Sequence, residues 1–186
     1  MAKPVSLTKA DIRRLFELLN TELAVDDVEG EVYVVGGAVM CLALGARDAT
    51  RDVDALFKPS KLIREAAARV AARAAVPANW LNDAVKGYLS ARGDFDPYLE
   101  LSNLRVFVAQ PSYLLAMKCA AMRLGEEFHD LDDVRYLLRY LNIASAKEAL
   151  DVVTKYFDEA ELPLKTRLAL EELFPPPGPK SRSTGS

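Results

Sequence analysis

A single histidine, two cysteines and one tryptophan among 186 residues remove several chemistries from consideration at once. His129 alone cannot build a histidine pair, a His-rich metal site, or a serine–histidine triad in which another histidine acts. Cys41 and Cys119 sit among Met, Ala and Leu on helical patterns, which predicts buried free thiols rather than a disulfide or a metal centre. Apolar runs long enough to span a bilayer are missing. Lys3 and Pro4 lead directly into a capped, charged helix instead of an apolar leader core, so a cytoplasmic protein with no membrane partner is expected. An excess of basic residues is missing too. A formal charge of −3 argues against a protein that coats nucleic acid through bulk charge, although a local basic groove is compatible with it.

What is present is the composition of a folded chain, with 51% hydrophobic and 27% charged residues. The length suits one ordinary domain, or one α/β domain with a helical appendage. Residues 6–24 open with Ser-Leu-Thr-Lys-Ala-Asp and place Ile12, Leu15, Phe16, Leu18, Leu19 and Leu23 at helical spacing, which predicts a capped amphipathic helix. Residues 31–35 form a β-branched and aromatic run that stops at Gly36-Gly37, a buried strand entering a tight turn. An apolar helix over 38–44 is closed by Gly45, and residues 50–57 read as a second strand ended by Lys58-Pro59. Further helices are expected over 59–75 and 80–89, a polar loop through Gly93, Asp94 and Pro97, and a third strand over 104–109. Pro111 then opens a long helix to Gly125, followed by helices over 131–141, 146–156 and 165–174 and a disordered tail after Pro175.

The chemistry concentrates in one strand. Asp52 and Asp54 stand at i and i+2, so alternation turns both carboxylates to one face. Two carboxylates side by side repel unless a cation lies between them, and hard oxygen ligands of this kind suit Mg²⁺ with phosphate oxygens completing its shell. The Gly36-Gly37 turn lets backbone N–H groups approach phosphates closely at the start of a helix. Strand, glycine turn, helix and strand together point to phosphoryl or nucleotidyl transfer.

The stretch Val34-Val35-Gly36-Gly37, a short helix, then Thr50-Arg51-Asp52-Val53-Asp54 resembles the signature of minimal nucleotidyltransferases of the DNA polymerase β superfamily. Within that superfamily the chain looks most like the abortive-infection toxin nucleotidyltransferases of bacterial toxin–antitoxin systems and their uncharacterised relatives. The resemblance implies an α/β (α+β) nucleotidyltransferase core, a small mixed β-sheet flanked by helices, with a helical C-terminal half. It divides the chain into a core with its N-terminal helix over 1–110, a helical region over 111–174 that completes the active site, and a tail over 175–186. The implied activity moves a nucleoside monophosphate from a nucleoside triphosphate to an acceptor hydroxyl with Mg²⁺ as cofactor. The acceptor implied by the toxin relatives is the 3′ end of tRNA, with a cognate antitoxin protein as partner.

Three further segments carry the narrower resemblance. Lys118 lies inside the apolar helical run 113–118, where its charge needs a partner, and the family reading sets it beside the triphosphate; the alternative is a lysine snorkelling at the helix edge. Asp133 matches the toxins' last acidic motif, while Asp130, Asp132 and Asp133 would equally complement a helix N-terminus. Asn82 and Asp83, in the segment 80–86, line the pocket in this reading, and helical packing around Trp80 and Val85 explains them as well. Arg51 is a second-tier phosphate ligand, since alternation sends it to the face opposite Asp52. Arg64, Arg69 and Arg73 form either one wall of an RNA groove or a solvated helix face.

The chain departs from the wider superfamily in two places. Gly37 stands where many members have a phosphate-binding serine, and the third carboxylate of the polymerising members has no clear equivalent on the strand over 104–109, with Glu100 the nearest candidate. Without such a base, the acceptor depends on metal activation and positioning, or the chain binds nucleotide or a partner without turnover. Transfer to a small molecule or a protein hydroxyl is the rival within the same chemistry.

Overall fold

The computed structural model describes residues 5–122 and 130–174, and these form an α+β fold. Its elements run β1 (Leu7–Thr8), α1 (Lys9–Val25), β2 (Gly30–Val34), α2 (Gly37–Leu42), β3 (Ala49–Thr50), β4 (Val53–Lys58), α3 (Ser60–Ala74) and β5 (Leu81–Asn82). After a 3-10 helix at Ala84–Tyr88 come β6 (Phe95–Glu100), β7 (Leu104–Ala109), α4 (Pro111–Ala120), α5 (Asp130–Tyr140), α6 (Ala146–Val153) and α7 (Leu164–Leu173).

Five strands make a mixed sheet in the order β5-β4-β2-β7-β6, and β1 pairs separately with β3. β2 sits at the centre, antiparallel to β4 and parallel to β7. The registers Val34↔Ala55, Val32↔Phe57 and Val32↔Val106 put all of these side chains on one buried face. The registers Tyr33↔Leu56 and Tyr33↔Phe107 define the opposite face, where the rings of Tyr33 and Phe107 stack with centroids 4.9 Å apart. Alternation along β4 therefore buries Val53, Ala55 and Phe57 and turns Asp54 to the second face.

The first helix begins where the sequence signals it. The Thr8 side chain accepts from the Asp11 N–H and the Asp11 carboxylate accepts from the Thr8 N–H, a reciprocal capping box. Its apolar stripe, Ile12, Leu15, Phe16, Leu19 and Leu23, is buried, and α3 packs beside it. Glu22 joins the two helices by ion pairs to Arg69 (2.7 Å) and Arg73 (2.5 Å).

Three expectations need correction. Residues 80–89 are not one helix: Trp80 is fully buried with its Nε1–H donated to the Ala67 carbonyl, Leu81–Asn82 pair with β4, and only Ala84–Tyr88 coil as a 3-10 helix. The pattern misleads because Trp80 and Val85 are separated by a strand, not by helical turns. The polar loop through Pro97 is an edge strand, β6, whose irregular register between Pro97 and Leu99 accommodates the imino acid. Gly93, placed in the same loop, is a packing position, since an added Cβ would lie 2.6 Å from the Tyr113 ring. The long helix from Pro111 ends at Ala120, where the Thr166 hydroxyl donates to the Cys119 carbonyl and satisfies one of its orphan acceptors from another helix. Gly125, His129 and the tail after Pro175 lie outside the described residues. Cys41 and Cys119 are both buried and free, as expected.

No helix among the described residues is long and apolar enough to cross a membrane.

Candidate active site

The site is built around the exit of β2. Gly36 follows the strand with φ of 67° and ψ of −148°, a conformation that side chains with a Cβ avoid, and it starts α2. An added Cβ on Gly36 would stand 3.1 Å from Asp54 Oδ2, so the turn and the carboxylate of the neighbouring strand are in direct apposition. On Gly37 the same addition would meet Arg47 Nη1 and Thr50 Oγ1, each at 3.2 Å. The two glycines are thus flanked by a carboxylate at the first and by a guanidinium and a hydroxyl at the second.

Asp52 directly precedes β4, two positions before Asp54. The parallel register Asp54↔Asn82 brings Asn82 beside Asp54, and its Nδ2 donates to Asp52 Oδ2 at 3.3 Å. Burial pushes the Asp52 carboxyl above its usual range, and the Asn82 amide and the nearby Arg51 charge pull it back only in part. A half-buried carboxylate whose hydrogen-bond partner is a neutral amide keeps an electrostatic demand for a cation. Asp52 and Asp54 therefore fit a divalent ion with oxygen preference, and no group of three metal-capable side chains adds to them among the described residues.

The second half of the chain contributes cations. Lys118 Nζ on α4 donates to Asp130 Oδ1 at 3.1 Å and lies 2.8 Å from Asp133 Oδ2, an ionic contact without hydrogen-bond alignment. The snorkelling alternative does not hold, because the Lys118 side chain is only 13% exposed and its charge ends on two buried carboxylates. Asp133 is shared: its Oδ1 accepts from Arg47 Nε at 3.1 Å and Nη2 at 2.5 Å. One buried carboxylate thus ties the loop after α2 to α4 and α5.

Lys118, Asp130, Gly36 and Asp54 line one cavity of about 540 Å³, a size suited to a small-molecule ligand. Its remaining walls are largely apolar, with Val85, Leu114, Met117 and Pro163 among them, and Tyr88 and Lys165 contribute from the 3-10 helix and α7. No family model, curated protein or solved structure matches this chain. What the site can do is therefore argued from its own geometry.

The other sequence candidates fall outside that cavity. Asp83 is paired with Lys86 (2.5 Å) and Arg64 (2.7 Å), which hold its carboxyl below the usual range, Lys86 foremost. Arg51 is exposed. Arg69 and Arg73 are engaged with Glu22, so most of the basic face of α3 joins helices. Glu100 lies on β6, the far edge of the sheet, with β2 and β7 between it and the strand of Asp54. Arg47, Asp130, Tyr88 and Lys165 were not singled out from the sequence as site residues. Arg47 and Asp130 carried a faint signal, one of two arginines between the glycine turn and the carboxylates and an acid near Asp133. Tyr88 and Lys165 carried none, because tertiary packing alone brings them to the cavity.

Proposed function

We propose that the chain is a Mg²⁺-dependent nucleotidyltransferase that moves a nucleoside monophosphate from a triphosphate to an acceptor hydroxyl. The observation that carries this reading is the direct apposition of the Gly36 turn and the Asp54 carboxylate in the lining of a cavity to which Lys118 also contributes. Backbone N–H groups at a glycine turn bind phosphate oxygens, and a carboxylate beside them holds the cation that phosphates bring.

Asp52 and Asp54 would hold Mg²⁺, which when bound offsets phosphate charge and lowers the barrier to displacement. Asn82 keeps the Asp52 carboxylate oriented. The glycine turn and Lys118 bind the triphosphate. The acceptor oxygen attacks the α-phosphorus; a new P–O bond forms, the bond to pyrophosphate breaks, and the hydroxyl proton passes to water. By resemblance the acceptor is the 3′ end of tRNA, which places the chain as the toxin of a toxin–antitoxin pair.

The test is incorporation of α-labelled CTP, UTP, ATP and GTP with Mg²⁺ into total RNA, protein and small-molecule pools, comparing wild type with Asp52→Ala and Asp54→Ala. Label in the tRNA band that disappears in both variants supports the reading; label in protein or small molecules redirects the acceptor. No label above the variants' level with any pool overturns transfer and leaves a nucleotide-binding module.

A further inference from the structure

Arg47 is a cation beside the glycine turn that the proposed reaction does not use. Asp133 takes two of its three guanidinium nitrogens, Nε and Nη2, while Nη1 makes no hydrogen bond with any described residue. That remaining nitrogen is the one placed 3.2 Å from the point where a side chain on Gly37 would begin. The side chain is 26% exposed while its carboxylate partner is 4% exposed, so Arg47 is anchored from the protein side and open on the other. The other oxygen of Asp133 faces Lys118. Asp133 therefore touches both cations, and because Lys118 also reaches Asp130, it is Arg47 that keeps a nitrogen for a further anion.

We propose that Arg47 and Lys118 form a two-pronged clamp for the polyphosphate of the nucleotide, with Arg47 Nη1 at the Gly37 end of the turn and Asp133 as the positioning residue of both prongs. The inference rests on the nucleotidyltransferase reading and adds a substrate-binding residue to it. The absence of a side chain at Gly37 is part of the design: a guanidinium fills that volume, so the phosphate contact comes from a residue ten positions along the chain. Arginine suits this role because its fork donates to a carboxylate and to a phosphate simultaneously through different nitrogens. Lysine in its place would spend its one ammonium on Asp133.

The experiment uses the full chain and inorganic tripolyphosphate as probe, measured by titration calorimetry, alongside KM and kcat for the preferred triphosphate. Arg47→Lys keeps the ion pair to Asp133 and loses the free nitrogen. It is expected to melt close to wild type while binding tripolyphosphate on the order of ten-fold more weakly, the loss of one charged hydrogen bond, with KM raised more than kcat falls. A merely structural Arg47–Asp133 bond would be rescued by lysine, so wild-type binding in Arg47→Lys overturns the clamp. Gly37→Ala is the second variant, should the first fail to fold. It leaves Arg47 and Asp133 intact and crowds Nη1, and it too is expected to weaken tripolyphosphate binding; unchanged binding there counts against the clamp. A wild type that binds and transfers, together with a wild-type-like Arg47→Lys, sinks this inference alone. A wild type that binds neither tripolyphosphate nor any nucleoside triphosphate sinks the nucleotidyltransferase reading with it.

Discussion

Replacing Gly36 by alanine tests the core of the site through two separate physical effects. The first is backbone strain, because φ of 67° with ψ of −148° belongs to a region almost reserved for glycine, at a cost of about 1–3 kcal/mol. The second is contact, because the new methyl would stand 3.1 Å from Asp54 Oδ2, and one of the two must yield by a few tenths of an ångström. Gly45 supplies the control. It also has positive φ, 60°, but nothing lies within 4 Å of its added Cβ. At roughly 2–4 °C per kcal/mol for a chain of this size, Gly36→Ala should lower Tm by about 6 °C and Gly45→Ala by about 3 °C. Transfer activity should fall steeply in Gly36→Ala and stay near wild type in Gly45→Ala. Calorimetric melts of both variants, and of Gly36→Ala combined with Asp54→Ala, separate strain from contact: the double variant should recover part of the loss, a coupling of about 0.5–1 kcal/mol. The reasoning is refuted if Gly36→Ala melts with the wild type, or if the cycle with Asp54→Ala shows no coupling.

Two other outcomes follow from the described contacts. Glu22 is held below its ordinary pKa by hydrogen bonds from Arg69 and then Arg73, so its contribution is present above the unfolded value and is lost as pH falls through the folded one. Glu22→Gln should cost about 1 kcal/mol near neutral pH, and the gap to wild type should narrow as thermal melts are taken from neutral into acidic buffer; an equal gap throughout would contradict the pairing. Cys119 is fully buried and its thiol is pushed up to about 12, so it should resist a soluble disulfide reagent at pH ~8 until the chain unfolds. Rapid labelling of Cys119 in the native protein would show that α4 opens readily.

The parts of the fold that alternation and periodicity govern were legible in advance. The strand before the glycine turn, the strand over 104–109 and the capped first helix all follow from local pattern. Where long-range pairing decides the state, the pattern misled. Leu81–Asn82 are a strand only because β4 lies beside them, and β6 carries a proline that its edge position tolerates. The link of Lys118 to Asp133 was anticipated only as membership of one site. The role of Asp133 as the anchor of Arg47 was not, because nothing local relates residues 86 positions apart.

That distance has a consequence for how the protein is made. Asp52, Asp54 and the glycine turn are synthesised well before α5, whose Asp133 fixes Arg47 and Lys118. The strand of Asp54 also pairs with β2, whose other neighbour β7 exists only once the chain has been made through Val108. A growing chain thus carries Arg47, Asp52 and Asp54 before the carboxylate that anchors Arg47 exists, and only the helical half holds them together. The proposed transfer could therefore begin only after α5 has been made, whatever the state of the sheet before it.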